Sequence, residues 1–267
     1  MTLPDPGPWL ITDPWFYAAA VPAVLLMGIS KSGFGAGFGA LATPLMALTI
    51  PVPQAAAIML PLLAVMDGLG FLALLRHADR RLLRLLLPAG LAGSMIGWAS
   101  FGWLAPTTVA GIVGALTLMF VVHRLWVRAP AAPATGDAAA VPDLGPRARG
   151  LGWLLGAASG FTSFVAHAGS PPVTAWMMPM RLQPVTYTAT LAVFFAVVNL
   201  SKWVPYGLLG LIDVRNLATS LVLMPLAPLG VWAGLRLARR VSPVWFWRLV
   251  LAGMTLTGIK LLADAWR

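Results

Sequence analysis

The chain has 267 residues, of which 59% are hydrophobic and 10% are charged, and its formal net charge is +10. Soluble domains carry about 25% charged residues, and several apolar stretches here reach the ~20 residues that cross a bilayer. This composition therefore predicts an all-α polytopic membrane protein. Most arginines lie in short loops beside apolar segments, as topology signals do, so we expect no nucleic-acid partner. Cysteine is absent, which excludes disulfides and thiolate metal sites, and we expect no metal and no cofactor.

The N-terminal stretch MTLPDPGPWLITDPW contains Asp5 and Asp13 and no lysine or arginine. It therefore lacks the basic region of a cleaved signal peptide. Because cytoplasmic loops concentrate Lys and Arg, we expect this end to lie outside the cytoplasm. A composition rich in Ala, Arg, Gly and Pro and poor in Lys favours a bacterial source. Together these features predict a multi-pass protein of the bacterial inner membrane with a periplasmic N-terminus.

Glycines and hydroxyls interrupt the first apolar segment, residues 18–48. Residues 28–44 read GISKSGFGAGFGALATP, with a lysine between two serines at the start of a glycine run. Such a run cannot form a continuous buried helix. Backbone without a helical partner is tolerated at membrane depth only where it lines protein or a water-filled cavity. We therefore predict a helix that breaks here and restarts beside a binding cavity.

The same plan recurs in the second part of the chain. Residues 156–171 read GAASGFTSFVAHAGSP, and at one common spacing Gly33 aligns with Gly160 and Pro44 with Pro171. In each half the broken segment is followed by three apolar segments. These lie at 55–75, 83–100 and 107–127 in the first half, and at 187–209, 217–235 and 244–263 in the second. We therefore divide the chain into a first transmembrane repeat at 1–127, a flexible linker rich in Ala and Pro at 128–149, and a second transmembrane repeat at 150–267.

The loop arginines indicate that the two repeats are inverted relative to each other. In the first half the basic loop, residues 76–84, joins the second and third segments. In the second half it is residues 236–240, between the third and fourth segments. Because basic loops stay in the cytoplasm, this exchange predicts an upside-down second repeat. Inversion requires an odd number of crossings per half, so each broken segment should be a re-entrant-like hairpin of two short helices, followed by three spans. The linker then lies in the cytoplasm.

Hydrogen-bond donors outnumber acceptors at the two breaks, which predicts an oxyanion site. Lys31 adds a full charge, glycines expose N–H groups, and the helix that restarts after each break presents a positive N-terminus. His167 can donate from either ring nitrogen and can titrate near neutral pH. The predicted substrate-binding residues are Ser30, Lys31, Ser32, Gly33, Gly35, Gly37, Ser159, Gly160, Thr162, Ser163, His167, Ser170 and Asn199. Two alternatives stay open: the glycines can serve close helix packing, and His167 can be a packed histidine bonded to a backbone carbonyl.

Three further polar residues, Asp67, Asn199 and Lys202, lie well inside apolar segments. Intramembrane ionisable groups are costly and usually functional. Asp67 and Asn199 occupy matching positions in the two repeats, so inversion brings both beside the central site. Asp67 can pair with Lys31 or Lys202, or take up a proton, and we predict Asp67 and His167 as the coupling residues. Lys202 can instead extend its ammonium to the outer interface.

The two broken segments resemble those of a known transporter family. The stretch GISKSGFGAGFGALATPLMAL and its weaker echo GAASGFTSFVAHAGSPPVTAWMMP look like the TauE/SafE family of sulfite-exporter-like transporters. The resemblance covers nearly the whole chain, with the linker matched least. It implies a substrate among sulfite, sulfonates, related organosulfur compounds and small carboxylate anions. The second stretch lacks the lysine and most of the glycines, so we expect the two halves to play unequal roles.

These observations together predict a secondary transporter of a small anion that works by alternating access and is ion-coupled. Its expected partners are the anion and the lipid bilayer, and a homodimer is left open. An anion channel or uniporter of the same architecture is the main alternative. An intramembrane serine hydrolase built on Ser159 and His167 is a remoter one, because both residues sit in one short loop with no carboxylate to orient a base. We therefore expect no enzyme activity.

Overall fold

The structure is a computed structural model that describes residues 9–34, 38–101, 103–126, 144–180, 182–237 and 243–266. Within those residues the chain is helical and contains no strand. The α-helices are α1 (Pro14–Ile29), α2 (Ala42–Met46), α3 (Val52–Leu74), α4 (Arg80–Phe101), α5 (Pro106–Trp126), α6 (Pro146–Ala166), α7 (Ser170–Met177), α8 (Pro184–Ser201), α9 (Trp203–Leu208), α10 (Val214–Leu223), α11 (Leu226–Leu237) and α12 (Pro243–Ala265). Most of the predicted linker, residues 128–143, lies outside the described residues, and α6 begins just before the predicted second repeat.

Among the described residues, four helical stretches are long and apolar enough to cross a membrane. They are Pro14–Ser32, Val52–His77, Arg80–Ser100 and Pro184–Leu208. A fifth candidate is the pair α10 and α11, whose axes meet at 43°. Large apolar side chains on the outer faces of these helices are exposed, as a surface that contacts lipid requires. The prediction of an all-α, multi-pass membrane protein is confirmed.

Both predicted broken segments are interrupted, but their two arms differ in length. α1 has 16 residues and passes into a π-helical turn at Ser30–Phe34; beyond residues 35–37 the chain resumes in a 3-10 turn and the five-residue α2. α6 has 21 residues and ends at His167, in the left-handed region with a φ of 52°, before the eight-residue α7. At 1.5 Å per residue the first arms are roughly 24 and 32 Å long. The prediction of two short helices per hairpin is therefore wrong for the first arm of each segment.

Two segments that were predicted as continuous are each divided in the structure. Residues 187–209 separate into α8 and α9 at Lys202, and residues 217–235 into α10 and α11 at Met224 and Pro225. Proline explains both divisions, because it has no N–H to donate and its ring clashes with the carbonyl four residues earlier. Pro205 stands in this relation to the end of α8. Lys202 therefore lies at a helix end rather than in a helix interior.

Helices of the first half pack mainly against helices of the second. α3 lies against α8, α5 against α12, α1 against α11, and α4 against α6. Glycines allow the closest of these approaches. A Cβ atom on Gly93 would lie 1.9 Å from the carbonyl oxygen of Ala157, and one on Gly28 would lie 2.7 Å from the backbone of Gly230. Small residues of this kind are typical of helix contacts inside membranes.

Candidate functional site

One group of polar side chains, contributed by four parts of the chain, forms a continuous buried network. We call it the polar network; its members are Lys31, Asp67, Ser163, His167, Asn199 and Lys202. Lys31 follows α1, Asp67 lies on α3, Ser163 and His167 lie at the end of α6, and Asn199 and Lys202 at the end of α8. All but Lys31 are buried. The network therefore joins both breaks to the α3 and α8 pair.

Asp67 uses both of its carboxylate oxygens within the network. Its Oδ1 forms a salt bridge with the ammonium of Lys31, and its Oδ2 accepts a hydrogen bond of 2.6 Å from Asn199 Nδ2. The Lys31 ammonium also lies 5.1 Å from the centre of the Phe195 ring, within the range of a cation–π contact. The side chain of Lys31 is 19% exposed, against 5% for Asp67. Lys31 is therefore the network residue most accessible to a ligand.

Lys202 is fully buried and surrounded by acceptors. Its Nζ lies 2.6 Å from the carbonyl oxygen of Ser163, 2.8 Å from Ser163 Oγ, 2.7 Å from Asn199 Oδ1 and 3.1 Å from His167 Nδ1. An ammonium has three hydrogens, so acceptors outnumber them. The alternative in which Lys202 reaches the membrane interface is therefore wrong: this side chain ties the end of α8 to the end of α6.

The partners of His167 fix its protonation state in this conformation. Its Nε2 lies 2.9 Å from the carbonyl oxygen of Ala56, and its Nδ1 faces the Lys202 ammonium. A carbonyl only accepts and an ammonium only donates, so Nε2 carries the hydrogen and Nδ1 accepts. His167 is therefore a neutral imidazole, and the bond to Ala56 is the one expected of a packed histidine. Its ring nevertheless belongs to the network.

The polar network carries an excess of positive charge. With Lys202 protonated, as the three oxygens around its Nζ favour, the network contains, among the described residues, two ammonium groups, on Lys31 and Lys202, one carboxylate, on Asp67, and the neutral imidazole of His167. Charges interact strongly in a medium of low dielectric constant. An anion that approached Lys31 would restore neutrality, which is the electrostatic condition for an anion site.

Two other hydroxyls on α6, those of Ser159 and Thr162, make local hydrogen bonds. Ser159 Oγ donates to the Gly169 carbonyl at 2.6 Å and so closes the second break, and Thr162 Oγ1 donates to the carbonyl four residues earlier at 2.8 Å. Both nitrogens of His167 are engaged elsewhere, so it does not serve as a base for Ser159. Gly160 packs on α4, because a Cβ there would lie 1.8 Å from the carbonyl oxygen of Gly90. The packing alternative thus accounts for Gly160.

The first break is described in part. Ser32 Oγ donates to the last carbonyl of α1 at 2.7 Å, and Ser30 and Gly33 lie in the π-helical turn with Lys31. Gly35 and Gly37 lie outside the described residues. This turn positions the Lys31 ammonium on Asp67.

The helix that restarts after the second break has few free N–H groups. α7 begins at Ser170, which is half-buried, and continues with Pro171 and Pro172. Since proline has no N–H, two of the donors that a helix N-terminus normally presents are missing. The expectation that this end would bind an anion through its backbone is therefore weakened, and side chains become the main source of donors.

An apolar cavity of about 270 Å³ lies beside α6, close to the polar network. α6 lines it with Ala158, Thr162 and Ala166, which repeat at four-residue spacing, and α5 and α12 add Phe120 and Met254. The network residues Ser163 and His167 each follow one of these positions, and adjacent residues on a helix point about 100° apart. The cavity and the network are therefore lined by different side chains of the same helix.

Lys202 is not among the substrate-binding residues that the sequence predicts, although it belongs to the polar network. The three-residue spacing between Asn199 and Lys202 does predict that both face the same site, because residues three apart on a helix share one face. The carbonyl of Ala56 and the ring of Phe195 had no sequence signal, since a backbone oxygen or one phenylalanine among many cannot be singled out without the tertiary structure.

Comparison with known proteins agrees with the sequence resemblance. A family model described as sulfite exporter TauE/SafE matches residues 20–261. No curated protein and no solved structure matches the chain. The matched range contains both breaks, at residues 28–44 and 156–171, and every member of the polar network. The chain therefore belongs to the sulfite exporter TauE/SafE family of membrane transporters.

Proposed function

We propose that this protein is an ion-coupled secondary transporter of a small anion across the bacterial inner membrane. The anion is sulfite, a sulfonate or a related organosulfur compound. The observation that carries the proposal is the excess positive charge of the polar network beside two broken helices. Membership of the sulfite exporter family supports the choice of a sulfur oxyanion.

Lys31 is the network residue best suited to bind the anion. Lys202 is fully buried and its hydrogens are all engaged, whereas Lys31 is partly exposed. In the described conformation the Lys31 ammonium is held by Asp67. An anion and the Asp67 carboxylate therefore compete for one ammonium group. A proton on Asp67 would remove its charge and release Lys31, which gives a direct route to coupling.

His167 is the second coupling candidate. A proton on its Nδ1 would face the Lys202 ammonium, and two adjacent cations repel each other. The contact between α6 and the end of α8 would then be weakened. Protonation of either Asp67 or His167 thus favours a rearrangement of the network.

Several features support two inverted repeats. Asp67 and Asn199 occupy matching sequence positions and are joined by a hydrogen bond. Two residues related by a twofold axis can touch each other only if both lie close to that axis. The helix contacts are also symmetric between the two halves. The second segments pack together as α3 and α8, and the fourth segments as α5 and α12. The first segment of each half packs against the third segment of the other, as α1 with α11 and α6 with α4. The exchanged arginine loops then favour inversion, with a periplasmic N-terminus and a cytoplasmic linker at 128–149. This topology requires each broken segment, despite its long first arm, to enter and leave the membrane on one side. Rocking of one repeat against the other would alternate access to the site.

Binding measurements on the purified protein test the proposal. Sulfite, sulfoacetate, taurine, thiosulfate and simple carboxylates are titrated by calorimetry in detergent. We expect saturable binding of at least one anion, and its loss of affinity in Lys31→Ala. Lys260→Ala is the matched control, because Lys260 pairs with Asp264 on an exposed face of α12. No saturable binding of any anion in the panel would contradict the proposal.

Transport measurements distinguish the carrier from a channel or uniporter. Proteoliposomes are given an inward or outward proton gradient, and the internal anion concentration is followed with time. We expect accumulation above the external concentration for one sign of the gradient. Equilibration that never exceeds the external concentration, for either sign, would favour the channel.

A further inference from the structure

We propose that the chain contains a site for a small monovalent cation and fills that site with the ammonium of its own Lys202. The site is made by Ser163, Asn199 and His167. Three oxygens surround the Lys202 Nζ, the carbonyl and hydroxyl of Ser163 at 2.6 and 2.8 Å and the amide oxygen of Asn199 at 2.7 Å, and His167 Nδ1 adds a nitrogen at 3.1 Å. This is a ligand set for a cation, and all three residues that supply it are buried.

The position of the site in the fold also favours a cation. The Ser163 carbonyl belongs to the last turn of α6, where it also accepts the N–H of His167 at the break. The C-terminal end of a helix carries partial negative charge. In secondary transporters the carbonyls of unwound backbone and the C-terminal ends of half-helices coordinate Na⁺ or H⁺. The end of α6 therefore has both the oxygens and the field of such a site.

Lys202 reaches the site because α8 ends there. α8 stops at Ser201 and α9 starts at Trp203, which leaves Lys202 between the two helices with its side chain fully buried. A free sodium ion would enter and leave with its own gradient. A tethered lysine cannot leave the site, so its ammonium supplies the charge without any dependence on external sodium.

The consequence for coupling rests on the proposed transport function. If the cation is covalently supplied, sodium is not the coupling ion. The remaining candidates for coupling are protons on Asp67 and His167. Asp67 contacts Lys31 and Asn199, and His167 contacts Lys202, so Lys31 and Lys202 are the charged groups that face them.

The test empties the site by substitution. Lys202→Ala removes the ammonium and leaves Ser163 Oγ, Asn199 Oδ1 and His167 Nδ1 without their donor, while the Ser163 carbonyl keeps only the N–H of His167. Thermal unfolding of the purified protein is measured in NaCl and in choline chloride at equal ionic strength. We expect the melting temperature of Lys202→Ala to rise by several degrees with NaCl and to saturate, since a ligand that binds only the folded state stabilises it. Methylammonium chloride should act in the same direction.

The controls separate site binding from a general salt effect. Wild type and Lys260→Ala should show no difference between sodium and choline. The double variant Lys202→Ala and Asn199→Ala lacks one oxygen ligand and should lose most of the sodium response. A Lys202→Ala protein that folds and responds equally to sodium, methylammonium and choline would overturn the proposal.

A second measurement tests the proposal if the Lys202→Ala protein does not fold. Anion transport by the wild type is measured in proteoliposomes with sodium on both sides, and again with choline in its place. Equal rates are expected, and a requirement for sodium would overturn the proposal. The unfolding experiment needs no transported anion, so failure of the cation site and failure of the transport function give different results.

Discussion

Removal of the Lys31 ammonium takes the charge of the polar network from +1 to zero, and we expect Lys31→Ala to weaken anion binding. A hydrogen bond to a charged group contributes roughly 1.5–3 kcal/mol. Because 1.4 kcal/mol corresponds to a tenfold change in Kd, the loss should be about 10- to 150-fold. Lys31→Arg should recover part of the affinity, because a planar guanidinium does not reproduce the geometry of an ammonium.

The same substitution has a second, separable effect on stability. In Lys31→Ala the Asp67 carboxylate, which is 5% exposed, keeps Asn199 as a partner but loses its salt bridge. Loss of one partner of a buried pair costs about 3–5 kcal/mol. Lys31 is 19% exposed and Lys202 acts on Asp67 through Asn199, so we expect the lower end of that range, ~3 kcal/mol. Lys31→Ala combined with Asp67→Asn should regain stability without regaining anion affinity.

Calorimetric titration of the most tightly bound anion measures the affinity, and denaturant unfolding in detergent measures the stability. Lys260→Ala should change neither by more than ~0.5 kcal/mol, since exposed ion pairs contribute little. A folded Lys31→Ala protein with the wild-type Kd would refute the assignment and leave Lys31 with a structural role.

Three other predictions follow from the same structure. Asp67→Asn should retain anion binding but lose the pH dependence of transport in proteoliposomes, so that only passive exchange remains. Accumulation of the anion with the wild-type pH profile would rule out Asp67 as the coupling residue, and His167→Gln would then be measured in the same assay. Cysteine accessibility labelling should place position 105 outside and position 238 in the cytoplasm, and labelling of both from one side would disprove the inverted repeats. Gly93→Ala should destabilise the protein by ~1–3 kcal/mol, because the new Cβ overlaps a carbonyl oxygen of α6. Gly68→Ala, where a Cβ meets nothing within 4 Å, is its control, and equal unfolding midpoints for the two variants would contradict the packing.

Proline shows where sequence reasoning about helices reached its limit. Pro205 and Pro225 stand next to the divisions of two predicted segments. Pro22, Pro61 and Pro88 lie inside the continuous helices α1, α3 and α4. Neighbouring helices can satisfy the carbonyl that a proline leaves free in a membrane. The residue type alone therefore does not predict whether the helix breaks.

The glycines show the same limit for function. The run in the first break and the glycines of the second were both predicted to expose backbone to a ligand. In the structure Gly160 lies against Gly90, so its missing Cβ serves a helix contact. Both uses require the absence of a side chain, and only the position of the neighbouring helix distinguishes them.

The sequence by itself determined that the chain is a helical membrane protein with two broken segments, and that Asp67 is a carboxylate deep in an apolar span. Composition and hydropathy are properties of whole segments. The free-energy cost of placing a charge in lipid is high whatever the packing of the helices. The tertiary structure alone decided that Lys31 holds Asp67, that Asn199 bridges Asp67 to Lys202, and that Ser163 and His167 enclose the Lys202 ammonium. These contacts join residues far apart in sequence, and they depend on how α1, α3, α6 and α8 pack, which local periodicity does not specify.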